Sequence, residues 1–205
     1  MKNRIDRIYN DDEETPPEKI PRVEMPDPLV SKFMKTRQIL LAGEVNKDLS
    51  EKIVRQLLVL ESESKKPIHL FIDSPGGDVD AGYAIFDMIR FIGASVWTIG
   101  MGLVASAGAL ILLAAPRERR IALPNSHYLI HQPLGGYKGV ATDIEIHALE
   151  IEKMRKKINV LIAAETGKPL EVVEKDTDRD HWLNAAEAME YGLVSRIAEK
   201  RADLG

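Results

Sequence analysis

The chain has 205 residues, 44% of them hydrophobic and 29% charged, with 28 basic against 32 acidic side chains and a formal charge of −4. That suits one domain able to bury its own core and leaves no basic footprint for nucleic acid or an anionic membrane. With no cysteine, disulfides, thiolate catalysis and cysteine-ligated metals are excluded, and a reducing, cytoplasmic address is expected.

Residues 1–29 read as a flexible acidic arm, because Pro16, Pro17, Pro21, Pro26 and Pro28 interrupt helix and ladder alike. The arm builds no apolar stretch of the kind a signal peptide needs, so secretion is not expected. One folded domain is expected over 30–199, with 200–205 as a C-terminal tail. The domain opens with a strand over Gln38–Ala42 and a helix over Leu49–Glu61, where Ile53, Val54, Leu57, Leu58 and Leu60 recur at helical spacing. The alternation returns as strand Ile68–Ile72, a glycine-rich turn Asp73–Gly77, helix Ala81–Ile92, strand Ser95–Gly100 and helix Ser106–Ala115. This is an α/β pattern.

The run Ala107–Ala115 is the most apolar of the chain, but it is far shorter than the roughly 20 residues of a membrane span and reads as a buried core helix. Two short strands follow, Arg120–Leu123 and Tyr128–His131, then the glycine-rich LGGYKG. The longest helix of the chain runs to about Glu165, with Thr142 and Glu145 as a capping box and Gly167 as its stop. At 1.5 Å per residue it measures roughly 35 Å and can project from the body. A helix over Leu170–Lys175, the polar stretch DTDRDH, the helix AAEAMEY and a strand over Gly192–Ala198 complete the domain.

Three segments could carry chemistry. In GLVASAGALILLAA, Ser106 stands between a strand and an apolar helix: it is either an ordinary N-cap or a nucleophile helped by free N–H groups and the helix dipole. The segment does not match the G-x-S-x-G elbow. IDSPGGDV is a βα turn whose glycines let backbone amides approach a ligand. In YLIHQPLGGYKG, His131 ends a strand and the glycines leave an extended edge against which a peptide could pair. Asp176, Asp178 and Asp180 could each orient a histidine, and residue physics alone does not choose among them.

Taken together and in order, SPGGDV, MGLVASAG, HQPLGGYKGVATDIEIHALEI and DTDRDHW resemble the proteolytic subunits of the Clp protease family over about Gln38–Ala198. The resemblance implies a crotonase-like (ClpP-type) α/β domain with a projecting handle helix, assembled as two stacked heptameric rings around enclosed active sites. It implies a serine endopeptidase that cleaves unfolded proteins through an acyl-enzyme, with Ser106 as nucleophile, His131 as general base and Asp180 as acid. The amides of Gly77 and Ala107 would form the oxyanion hole, and Gln132, Pro133, Leu134 and Gly135 would line the substrate groove. Asp178 and Arg179 resemble a pair that bridges rings; Leu57, Phe71, Phe91 and Leu123 fit a cleft for an AAA+ unfoldase, with His69 where an aromatic is common. No metal or organic cofactor is implied, ATP being used by the unfoldase.

The chain departs from the family at Leu103, Val104 and Ala107 around the serine, and the family's axial hairpin and Arg-Gly-Glu-Arg element are absent from Met1–Met34. Two other readings share these residues. One is a weakly active ring subunit modulating a paralogue; the other is a crotonase-type acyl-coenzyme A hydratase or isomerase, which would not need Ser106.

Overall fold

The computed structural model describes residues 28–136 and 138–204, so nearly all of the arm expected at 1–29 lies outside the described residues. A short exposed helix, α1 (Pro28–Lys35), precedes the first strand. Units of strand and helix then alternate: β1 (Gln38–Ala42), α2 (Lys47–Glu63), β2 (Ile68–Ser74), α3 (Val79–Phe91), β3 (Val96–Ala105) and α4 (Ala107–Leu112). After β4 (Arg120–Ala122) and β5 (His127–Ile130) come the long α5 (Ala141–Thr166), α6 (Leu170–Asp176), β6 (His181–Asn184), α7 (Ala185–Tyr191) and β7 (Arg196–Ile197).

Capping chemistry sets several of these boundaries. Asn46 accepts from the Leu49 N–H at 2.9 Å, Asp78 from the Ala81 N–H at 2.7 Å, and Asn184 and Glu187 form a reciprocal box at the start of α7. The box expected at Thr142 and Glu145 does not form. The helix begins at Ala141, with Val140 as N-cap and no side-chain cap, so Thr142 is already inside the first turn. Its end is as expected, Gly167 taking the left-handed conformation at φ 76°.

β1, β2, β3, β4 and β7 are hydrogen-bonded in that order and all parallel. β2 shows why one face is the core: Ile68, Leu70, Ile72 and Ser74 are buried, and the alternate His69, Phe71 and Asp73 are half-buried. On the first face, α2, α3 and the wholly buried α4 pack through Ile53, Leu57, Ile85, Leu110 and their neighbours. On the opposite face Ile99, Ile121, Ala198 and Leu204 form a smaller cluster under Phe71, Trp97 and Leu123. The segment expected as a free tail is thereby tied down: Arg201–Leu204 forms a 3-10 turn, and Leu204 is buried. The strand expected over Gly192–Ala198 shrinks to Arg196–Ile197, because Gly192 caps α7 with φ 100°.

The long helix has two halves with different surroundings. Ile158, Asn159, Ile162 and Thr166, near its C-terminal end, are its buried residues, whereas Ile144, Ile146 and Leu149 stand exposed. Its 26 residues span about 39 Å, and the exposed half projects. The buried end is locked by Arg120, whose guanidinium is fully enclosed; it pairs with Glu165 and donates to Ala115 O at 2.6 Å and Glu165 O at 3.0 Å. Arg90 grips the same carboxylate from α3 at 2.5 Å.

Candidate active site

The site is built where β3 changes partner. Residues 98–100 of β3 pair with β4, and residues 103–105 pair with β5. Between them Gly102 takes φ 54°, and the register against β2 shifts between Ile72 and Ser74. The chain then turns sharply into α4 through Ser106, at φ 54° and ψ −118°. A non-glycine residue held there stores about 1–3 kcal/mol of backbone strain. α4 begins one residue later than the expected Ser106–Ala115, which leaves Ser106 at its N-cap position, but the side chain makes no cap hydrogen bond, so it does not serve as an ordinary capping group. The turn is a tight strand-to-helix elbow without the G-x-S-x-G pattern. Its tightness is visible at Gly76, where an added Cβ would stand 2.6 Å from Ser106 Cβ; only glycine fits.

That glycine belongs to the SPGG turn between β2 and α3, which residues 43–45 clamp from the side. Gly43 N–H donates to Asp73 O at 3.0 Å, Ser74 Oγ to Gly43 O at 2.6 Å, Val45 N–H to Gly76 O at 2.8 Å, and Asp78 N–H to Val45 O at 2.8 Å. These bonds leave the Gly77 N–H outside the clamp. Gly77 itself holds φ 145°, a conformation available to glycine. Ala107 is the first residue of α4, so its N–H has no partner within the helix.

β5 runs parallel to the second part of β3, and Ser106 N–H extends that ladder by donating to Leu129 O at 2.9 Å. Two residues later comes His131, also at a strand end. β6 pairs antiparallel with β5, with Tyr128 opposite Leu183, Leu129 opposite Trp182 and Ile130 opposite His181. The next rung would place His131 opposite Asp180, and there His131 Nδ1 lies 3.0 Å from Asp180 Oδ1. The imidazole is 11% exposed and the carboxylate 60%, so the pair orients the ring and adds little to stability. The polar stretch DTDRDH ends on His181, the first residue of this strand, which sequence reasoning missed.

The ladder also separates the three candidate acids. Asp176 Oδ2 accepts from Tyr191 OH at 3.0 Å; burial, reinforced by this carboxylate, pushes the Tyr191 phenol well above its usual range. Asp178 Oδ1 accepts from Arg155 Nη2 at 3.1 Å. Only Asp180 reaches His131. Arg179 is exposed beside them.

Ser106, Ala107 and His131 line one cavity with Val79, Leu110, Leu113, Ile130, Ile158 and Ile162, so the space beside the serine is apolar and reaches the buried end of α5. Pro133 closes its rim. Gln132 is held by its N–H to Thr177 O at 2.6 Å and its side-chain amide to Asp178 O at 2.5 Å. Leu134 is 85% exposed, and Gly135 packs so near Ile151 Cδ1 that a Cβ would come within 2.8 Å. The extended edge expected at LGGYKG is not part of a strand among the described residues of 132–140. Among the described residues no group of three or more His, Asp or Glu could hold a metal, and no helix is long and apolar enough to cross a membrane.

Of the four residues expected at a docking cleft, Leu57 is corrected: it is fully buried in the main core, and the exposed position beside it on α2 is Leu58. Phe71 and Leu123 line a shallow pocket on the second face with Arg201 and Leu204, and Phe91 is exposed at the end of α3. Trp97, which was not anticipated, stacks at a tilt 6.3 Å from His69. Burial and the Arg201 charge hold His69 below the usual histidine range.

The Clp protease family model matches residues 21–201. The chain is 68% identical over 192 residues to ATP-dependent Clp protease proteolytic subunit 2 of Treponema denticola, covering 93% of this chain and 96% of that one. It is 53% identical over 172 residues to subunit 2 of Borreliella burgdorferi, covering 83% and 87%. Among solved structures, a ClpP1 mutant from Listeria monocytogenes superposes with a TM-score of 0.81 at 50% identity, covering 86% of this chain and 99% of that one.

Proposed function

The chain belongs to the Clp protease family, and from that premise we propose that it is a serine-type endopeptidase subunit whose nucleophile is Ser106. The observation that carries this reading is a single constellation. A strained serine at one strand end and a histidine at the next line the same cavity, and the histidine is held by Asp180 at 3.0 Å.

In the proposed reaction Ser106 Oγ attacks the peptide carbonyl while His131 Nε2 takes its proton, and the imidazolium then protonates the leaving amine. Asp180 accepts from Nδ1–H, which fixes the tautomer that leaves Nε2 free to act as base. The developing oxyanion is received by the N–H groups of Gly77 and Ala107, helped by the N-terminal end of α4. Water then cleaves the acyl-enzyme by the reverse proton path. No hydrogen bond joins Ser106 to His131 among the described residues, and substrate binding closes that contact. The apolar cavity beside Ser106 receives the side chain on the acyl side of the scissile bond, and Gln132 to Gly135 lie along the peptide.

The relatives' names describe ATP-dependent proteases, which supports assembly with an ATP-using unfoldase while this chain needs no cofactor of its own. The second-face pocket at Phe71 and Leu123 suits that docking. The projecting half of α5, apolar at Ile144, Ile146 and Leu149, suits packing between stacked rings, to which Asp178, paired with Arg155 of α5, and the exposed Arg179 would add. The absence of cysteine fits a cytoplasmic setting. The reading is tested by assaying a short fluorogenic peptide with the parent and Ser106→Ala at equal native mass: turnover belongs to the parent alone, and comparable turnover in both rejects it.

A further inference from the structure

We infer that Asp73 is a positioning residue for the reaction: its carboxylate, through a hydrogen bond to the Leu103 N–H, holds the irregular step in β3 that aligns Ser106 with His131. This inference rests on the serine-peptidase reading above.

Three observations meet at this carboxylate. Asp73 Oδ1 accepts from Leu103 N–H at 3.0 Å, thirty residues along the chain. Leu103 is the first residue of β3 to pair with β5, opposite His127. The residue before it, Gly102, is the one turned to φ 54°, and a Cβ added there would come within 2.7 Å of the same Asp73 oxygen. The carboxylate therefore fills the space left by the glycine and captures an N–H that the step in register takes away from β2.

The consequence lies on the path from strand to chemistry. Up to residue 100, β3 shares an edge with β4; from residue 103 that edge belongs to β5, the strand that delivers His131. Ser106 and His131 face one cavity because β3 makes this change of partner. Asp73 also joins the two halves of the site, since its main-chain O accepts from Gly43 N–H, the first bond of the clamp on the SPGG turn. What the step needs is an acceptor oxygen at this reach, which an amide also supplies.

The test measures the rate at which a fluorophosphonate acylates Ser106 in the full chain, together with native mass and thermal midpoint, in Asp73→Ala, Asp73→Asn and Asp73→Glu. A displacement near 1 Å at the nucleophile slows acylation by about 10²-fold, so Asp73→Ala is expected to lose about that factor at parental native mass. Asp73→Asn, which keeps the acceptor in place, restores the rate to within about threefold of the parent. Asp73→Glu, whose extra methylene pushes the oxygen into Gly102, stays slow. Parental rates in Asp73→Ala, or a fast Asp73→Glu beside a slow Asp73→Asn, overturn the inference. If Asp73→Ala does not fold, the Asn and Glu pair still decides by the same comparison, and equal rates in the two overturn it. A parent that takes no label at Ser106 sinks the peptidase reading itself, an outcome distinct from a labelled parent with indifferent Asp73 variants.

Discussion

His131 and Asp180 face each other as the next rung of the β5–β6 ladder, their Nδ1 and Oδ1 atoms 3.0 Å apart. Directly opposed residues on one face of an antiparallel pair lie within side-chain reach, so the strand register itself selects which carboxylate meets His131. The selection does not depend on burial, since Asp180 is 60% exposed.

From this follows an ordered loss of activity. Ser106→Ala and His131→Ala are each expected to lower kcat by about 10⁶-fold, and the double variant by little more, since the groups act as a unit. Asp180→Asn is expected to cost about 10⁴-fold, because it leaves both reacting groups and disturbs the tautomer. Steady-state rates on one peptide check the order; Asp180→Asn as severe as His131→Ala would contradict it.

Asp176 serves as the internal control. Its bond is to Tyr191, so Asp176→Ala, which removes the acceptor, is expected to cost about 1 kcal/mol of stability and leave peptide hydrolysis within about threefold of the parent. A urea midpoint and a rate measured side by side test this, and a rate collapse at parental stability would move the acid from Asp180.

The apolar cavity predicts a change of preference. Val79, the first residue of α3, lines it, and Val79→Trp fills space meant for a substrate side chain. The ratio of kcat/KM for a leucine against an alanine on the acyl side of the scissile bond is expected to fall by about tenfold or more, since methylene-sized differences in such pockets are worth about 1–3 kcal/mol. An unchanged ratio would place the substrate side chain elsewhere.

Arg120 predicts the largest structural cost. Its enclosed guanidinium pairs with Glu165 and serves three carbonyls, of Leu113, Ala115 and Glu165. Arg120→Met strands these acceptors and is expected to destabilise the chain by about 3–5 kcal/mol, read as a fall in the denaturation midpoint. A loss under about 1 kcal/mol would show that Arg90 alone secures the end of α5.

His69 predicts a pH dependence. Burial and Arg201 depress its folded pKa, so in the acid range the unfolded chain binds the proton more readily than the folded one. The stability this contributes is complete above about pH 6.5 and is lost as pH falls through the unfolded and then the folded value. Denaturation midpoints at pH 7.5 and 5.5 are expected to diverge more in the parent than in His69→Gln; equal slopes would remove His69 as a source.

Much of the fold was legible because its signals are local. Gln38–Ala42 and AAEAMEY have the bounds expected of them, since alternation, apolar spacing and Asn/Gly caps act over a few residues. β6 was not legible: in HWLN only Leu183 is buried, and Trp182 points outward, so the segment lacks a strand's pattern and gains its conformation from pairing with β5. Missing that strand is why three aspartates stayed indistinguishable. The capping box at Thr142 failed for the opposite reason, a local signal overridden by a helix that starts earlier. Ser106 was ambiguous because its decisive property is a positive φ, imposed by the contact of Gly76 and the step at Gly102, both long-range events.

The most direct measurement maps a fluorophosphonate on the full chain by peptide mass spectrometry, with and without prior saturation by a peptide substrate. The account predicts one label per chain, on Ser106, slowed by substrate and absent from His131→Ala. Label on another serine, or peptide hydrolysis that persists after Ser106 is fully modified, would contradict it.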